Sequence, residues 1–281
     1  MAEAAAAAPP DRRAGARDAG RIWPLEAIRG EVAPGRPGFS VELVPSIDST
    51  NSELMRRAAA GLHAPVLLVA EQQTAGRGRL GRQWLSEGAA ALTFSLGLAL
   101  APRDWSGLSL AVGVSVAGSL HPELRIKWPN DIWLHERKLA GILIETAGAP
   151  DHRYAVIGVG INIGPRAGAG LATPAAWLRE LLPQADPPSV LQLLVPALVQ
   201  AVTLFEAQGF GPFRAAFAAR DLLHGRPVLL SDGTAGTADG VDAVGALRLS
   251  VPTGVKVVTS AEVSVRPIGQ FAPSADPAHR P

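Results

Sequence analysis

The chain has 281 residues, 47% of them hydrophobic and 18% charged, enough for one sizeable core and a small second domain. Its formal net charge of +1 excludes a global field that draws it to nucleic acid or an anionic membrane, so any basic patch is local. With no cysteine, a disulfide framework, a thiolate zinc site and a cysteine nucleophile are all excluded.

Residues 1–20 are rich in Ala, Pro, Arg and Asp without apolar periodicity, and we read them as a disordered tail. The Ala run has no basic n-region before it and no bulky apolar h-region, unlike a secretory signal, and Glu3, Asp11 and Asp18 among the arginines do not fit an organellar transit peptide. One short helix is expected within 21–31, broken by PGRPG. VELVP, from Val41, is a strand, and IDSTNSELMRRAAAG starts a helix that stops at Gly61. PVLLVAE (65–71) is a buried strand, a Gly/Arg loop fills 74–82, and ALTFSLGLAL (91–100) is another strand. Small residues at 106–120 suit a helix; RIKW, DIWLH and LAGILIET read as three short strands, and YAVIGVGINI (154–163) as a longer buried one. After a Gly/Ala/Pro loop at 164–173, residues 174–182 and 189–220 read as helical. Beyond Gly225, RPVLLSDG, TAGTADGV, GALRLSV and GVKVVTSAEVSVRP are short strands at regular spacing, a small β-barrel of about 45 residues before a polar tail at 269–281. The apolar stretches are read as broken by Gly, Pro or charge before the ~20 residues of a bilayer span, so no membrane segment is expected.

Gly76, Gly78 and Gly81 satisfy G-x-G-x-x-G, but no helix opens at the last glycine and no acid follows near residue 100, so a dinucleotide fingerprint is rejected. What remains is a loop after a buried strand carrying Arg77, Arg79 and Arg82. Its glycines permit close backbone approach, and its guanidinium forks suit phosphate or carboxylate oxygens. From local chemistry alone a solvated RGR loop or an RGG-type nucleic-acid patch stands beside that reading.

Other residues carry two readings as well. Ser49, Thr50 and Asn51 sit at a helix start, where Thr50-x-x-Glu53 fits a capping box and where an anion or polar ligand can bind. Gln73 offers donor and acceptor together; Gln72 points to the opposite face. Lys138 precedes an apolar strand, costly without an anionic partner unless it snorkels. Asp131, after Asn130 in WPND, suits turn geometry. Asn162 lies in an apolar strand and must find hydrogen bonds.

EQQTAGRGRLGRQW (71–84), with DSTN (48–51) before it and KWPNDIWLHERKLAGILIET (127–146) and GVGINIG (158–164) after it, resembles the active-site segments of biotin–protein ligases in the family's order. GVDAVGALRLSVPTG resembles their SH3-like end domain, and the likeness spans roughly 41–268. It implies an α+β fold, a mixed and mainly antiparallel sheet backed by helices, with a catalytic domain at 41–222 and an SH3-like domain at 223–268. It implies activation of biotin by MgATP as biotinyl-5′-AMP, then transfer to a lysine of a carboxylase biotin carrier domain, in the cytoplasm. A homodimer through the sheet edge stays open, and no Mg²⁺ ligand is assigned.

By the same resemblance Ser49, Thr50, Asn51, Gln73, Arg77, Gly78, Arg79, Lys138 and Gly141 hold biotin. Arg77, Arg79, Trp84, Asn130, Lys138, Asn162 and Trp177 hold ATP or adenylate, with Trp177 equally well a core-facing helix residue. Lys138, Arg79, Lys127 and Asp131 carry the chemistry; Arg79 retains the intermediate, and Arg82 is peripheral. Many members carry an N-terminal winged helix, for which 1–40 is too short and too simple, so operator binding is not expected. Ser260-Ala261-Glu262 departs from the family's Gly-Glu turn. A lipoate–protein ligase shares the superfamily chemistry but normally lacks KWPND; a non-catalytic biotin sensor is the rival of a different class.

Overall fold

The computed structural model describes residues 21–86, 88–149, 152–165, 174–259 and 264–268. The tails expected at 1–20 and 269–281, most of the 164–173 loop and the Ser260-Ala261-Glu262 turn lie outside them.

A seven-stranded sheet is built from β1 (Ser40–Ile47), β2 (Val66–Gln73), β3 (Ala91–Leu100), β4 (Arg125–Lys127), β5 (Asp131–Leu134), β6 (Arg137–Ala149) and β7 (His152–Asn162), in the order β1-β2-β3-β7-β6-β5-β4. β1 and β2 run parallel, joined through α2 (Thr50–Ala59), and every other pair is antiparallel. Strand side chains alternate between faces. Leu67 and Val69 enter the large core with α1 (Leu25–Val32), α3 (Leu108–Leu120) and α4 (Pro187–Gln208), while Val66 and Leu68 enter a smaller one under α2. Burial on both faces explains the unbroken apolar run of β2.

β7 shows how the site arises from that alternation. Ala155, Ile157, Val159 and Ile161 all face the large core. On the other face Tyr154 and Val156 pack under α2, and the series then changes to Gly158, Gly160 and Asn162. Full burial stabilises by roughly 1.5–3 kcal/mol per large aliphatic side chain, so stability comes mainly from the helix-packed face. The opposite face is thereby free to be carved into a cavity.

Several elements differ from the sequence reading. LAGILIET belongs to a strand of 13 residues, β6, because β7 pairs along it from Ala140 to Ala149. The helix read at 189–220 ends at Gln208; Gly209 caps it at φ 67°, and only the short α5 (Arg214–Ala218) follows. Residues 174–182 form no α-helix, only a turn at Leu178–Glu180, since Pro174–Ala176 pairs its backbone with Lys138. α4 also corrects the membrane reading: Pro196 does not break it, and it is long and apolar enough to cross a bilayer. Here Leu191, Leu194, Leu198, Val202 and Phe205 bury that apolar face in the core.

The second sheet holds β8 (Pro227–Leu230), β9 (Ala235–Val241), β10 (Leu247–Val251), β11 (Gly254–Val258) and β12 (Val265–Pro267), in the order β11-β10-β9-β8-β12. The final strand read as one is therefore two, β11 and β12. This sheet is tied to the large one beside WPND, where Trp128, 1% exposed, donates Nε1–H to the Gly245 carbonyl at 3.1 Å. The outer edge of β4 is covered by residues 220–222, whose backbone bonds Ile126.

Candidate active site

A cavity of about 710 Å³ opens on the glycine-bearing face of the large sheet. Its floor exists because side chains are missing. A Cβ on Gly158 would stand 2.1 Å from Asn51 Oδ1, and one on Gly160 would stand 2.4 Å from the Trp84 ring. Thr93 and Ser95 from β3 add polar groups to the same face, at the alternate positions of an otherwise apolar strand.

The N-terminus of α2 meets this floor. Ser49 is the N-cap, accepting from Ser52 N–H at 3.4 Å. The expected Thr50–Glu53 capping box is not formed: Glu53 pairs with Arg56 and Arg57, and Gln73 Oε1 instead accepts from Thr50 N–H at 2.8 Å and Thr50 Oγ1 at 3.0 Å. Asn51 donates Nδ2–H to the Leu143 carbonyl and to Glu145, and Ser95 Oγ lies 2.6 Å from both Thr50 Oγ1 and Asn51 Oδ1. Ser49, Thr50 and Asn51 are each less than 5% exposed, so this polar cluster is fixed by its own bonds before any ligand arrives.

The Gly/Arg loop forms the roof as a tight hairpin. Trp84 N–H reaches the Gly76 carbonyl, and Gly78 N–H the Arg82 carbonyl. Leu80 at its tip adopts φ 55° and is exposed. Gly76 must be glycine, because a Cβ would stand 2.3 Å from the Trp84 carbonyl oxygen. Arg77 turns to Glu145, and Arg79 reaches Asn130 Oδ1 at 3.4 Å. Burial pulls Arg79 below its ordinary pKa, with Asp131 opposing it.

Lys138 enters the cavity through an irregularity in β6. In a regular strand Lys138 and Gly141, three apart, face opposite ways. The β5–β6 register shifts between Ile132 and Trp133, so Leu139 and Ala140 both face the large core. That bulge turns Lys138 onto the side of Gly141, and re-aiming a side chain is a common use of bulges near sites. Lys138 Nζ lies 2.7 Å from Asp131 Oδ1, over the Trp84 ring, and would be 3.2 Å from a Cβ on Gly141. The anionic partner expected of Lys138 is thus supplied within the chain by Asp131.

Lys127 stands opposite Asp131 across β4 and β5. Its Nζ donates to the Val265 carbonyl at 2.7 Å and lies 5.4 Å from the Trp133 ring centroid. Burial pushes its pKa down to about 8, partly offset by Asp131. Ser264, Val265, Arg266 and Pro267 close this side of the cavity.

All the residues assigned to biotin, nucleotide or catalysis therefore line one cavity except Trp177, whose neighbouring loop is outside the described residues. Asn162 lines it while giving its amide to the Lys138 and Ala176 carbonyls. Arg82, read as peripheral, lines it too. The sequence reading missed the Ser264–Pro267 wall, for which no local motif exists. Thr93 and Ser95 were detectable as polar alternation in β3.

Residues 43–162 match the family model of the biotin/lipoate A/B protein ligase family. The chain is 36% identical over 256 residues to the bifunctional ligase/repressor BirA of Escherichia coli K12, covering 86% of this chain and 79% of that one. It is 36% identical over 238 residues to the biotin–[acetyl-CoA-carboxylase] ligase of Paracoccus denitrificans, covering 77% and 96%. The biotin protein ligase of Aquifex aeolicus in complex with biotin and ATP superposes with a TM-score of 0.69 at 28% identity, over 81% of this chain and 98% of that one. Fold and cavity thus define a ligase domain of the biotin/lipoate class. Within that class, the chain belongs to the biotin–protein ligases.

Proposed function

We propose that this protein is an ATP-dependent ligase that activates biotin as biotinyl-5′-AMP and transfers it to a lysine of a carboxylase biotin carrier domain, in the cytoplasm. The observation that carries this reading is Lys138, turned by a bulge into a glycine-floored cavity beneath an arginine loop. The catalytic unit is residues 41–222, and 223–268 supply the small barrel that closes the cavity.

In the first step a biotin carboxylate oxygen attacks the α-phosphorus of ATP. The bond from that phosphorus to the bridging oxygen of the β-phosphate breaks, and pyrophosphate leaves. Lys138 and Arg79 are positive charges aimed where negative charge gathers, and in a site shielded from water such preorganised charge favours the transition state. Ser49, Thr50, Asn51 and Gln73 supply donors and acceptors for the ureido ring, while Gly141 and Gly78 allow close approach. Trp84 and Asn130 flank the adenylate.

In the second step the neutral amine of the carrier lysine attacks the biotinyl carbonyl. The carbon–oxygen bond of the mixed anhydride breaks, AMP leaves with that electron pair, and Asp131 takes the amine proton. Lys127 adds positive charge on the phosphate side. Magnesium enters with the nucleotide as MgATP. Among the described residues no cluster of three His, Asp or Glu side chains is placed to hold a metal, and no step is drawn through a protein-bound one. A homodimer formed strand to strand would use the β1 edge of the large sheet, because residues 220–222 cover the β4 edge.

The test is pyrophosphate release from purified protein and ATP with biotin, with lipoate and with neither. Release with biotin alone is expected. Release with lipoate alone would replace the substrate, and release with neither would leave a binding protein.

A further inference from the structure

Glu145 was not among the residues read from the sequence, and it does not line the cavity. It sits behind it on β6, its side chain 26% exposed, between two parts of the site distant in sequence. Arg77 gives it two bonds from one nitrogen, Nη2 to Oε1 at 2.8 Å and to Oε2 at 2.9 Å. Asn51 Nδ2 donates to Oε2 at 2.9 Å. Asn51 has little other freedom, since Gly158 leaves room for its Oδ1 and the Leu143 carbonyl takes its second amide hydrogen.

We propose that Glu145 is a positioning residue: one carboxylate latches the Gly/Arg loop and the α2 N-terminus to the sheet through Arg77 and Asn51, so that roof and ureido-binding end of the pocket are set together. The latch rests on reading this cavity as the biotin site. An exposed ion pair alone contributes little. This one is part of a three-bond set with a buried amide, and it is shorter than the contact from Arg79 to Asn130 at 3.4 Å. The two arginines of GRGR then divide their tasks. Arg77 is neutralised by Glu145 and fixes the loop, which leaves Arg79 to meet the anionic ligand.

The test uses the full chain with Glu145→Gln, which keeps the size of the side chain and removes its charge. Without ligand, trypsin cleavage after Arg79 and Arg82 is expected to quicken about tenfold, the worth of a charge-assisted bond, with the thermal midpoint nearly unchanged. In biotin-dependent pyrophosphate release, KM for biotin rises by about the same factor while kcat stays within about twofold, because only ligand retention is loosened. Arg77→Gln removes the same pair from an exposed side chain, and the double variant is expected to be no worse than either single one. If the Glu145 variant fails to fold, Arg77→Gln alone carries the measurement. Unchanged cleavage, unchanged KM, or single effects that simply multiply would each overturn the latch. Should the wild-type protein release no pyrophosphate with biotin, the ligase reading falls, while the cleavage rates still decide whether Glu145 holds the loop.

Discussion

The two faces of the seven-stranded sheet are made by the same strands and differ in every second residue. On one face Leu67, Val69, Ile157, Val159 and Ile161 pack against helices and are at most 2% exposed. On the other, Thr93, Gly158, Gly160 and Asn162 give up that packing to leave a cavity, with Ser95 buried against Thr50 and Asn51 beside it. Neighbours one residue apart therefore do opposite work, stability on one side and recognition on the other. Packing and cavity are thus separable here position by position.

Substitution at the cavity face should cost the most activity. Lys138→Ala should lower biotin-dependent pyrophosphate release on the order of 10³-fold, with the circular dichroism spectrum unchanged. Wild-type turnover in that variant would remove Lys138 from the chemistry. Next comes the adjacent pair on β7. Ile157→Ala should destabilise by about 2–5 kcal/mol in urea unfolding and leave the biotin KM alone. Gly158→Ala should raise that KM roughly tenfold or more with a smaller loss of stability, because its Cβ displaces Asn51 rather than emptying the core. If both variants changed both quantities alike, the faces would not be separable.

Lys127 makes the cavity side sensitive to pH. In the folded chain its amine gives up its proton near 8, because burial disfavours the charge. An unfolded lysine keeps its proton to about 10.4, so between these values the unfolded state binds more protons and stability rises with pH. The gain should be on the order of 1–3 kcal/mol from pH 8 to 10 and vanish in Lys127→Met. Above that range Tyr154, which burial pushes up to about 12, acts with the opposite sign. Pyrophosphate release that falls above pH 8 while stability climbs would mark the Lys127 cation as needed for activity. The smallest effect lies off both faces. A hydrogen bond from Arg56 holds Asp48 down at about 2, against its slight burial, so its contribution is present above pH 4 and lost as pH falls toward 2. Both side chains are around half exposed, and Asp48→Asn should cost no more than about 1 kcal/mol in thermal unfolding.

Much of this was legible in the sequence. The helix-packed face announces itself by apolar alternation, and the roof by the spacing of Gly76, Gly78, Arg77 and Arg79. What could not be read needed register or distance along the chain. Lys138 and Gly141 share a face only because of a bulge, which leaves no mark in LAGILIET. Asp131 as the partner of Lys138 depends on the same shift. Residues 174–182 are not an α-helix because Pro174–Ala176 bonds to a strand, a tertiary effect that local periodicity does not carry. Glu145 looked like one more polar residue at the end of an apolar run.

The wall formed by Ser264–Pro267 has a consequence for synthesis. A ribosome makes the floor at Gly158 and Gly160, and the roof at Arg77 and Arg79, long before it reaches Val265. A nascent chain of some 220 residues therefore carries Lys127 without the carbonyl that receives its ammonium, and a cavity open on that side. The closed site can form only after β12 has left the exit tunnel and settled beside β8, so a message cut short anywhere before that strand yields a chain with most of the motifs and an unfinished pocket.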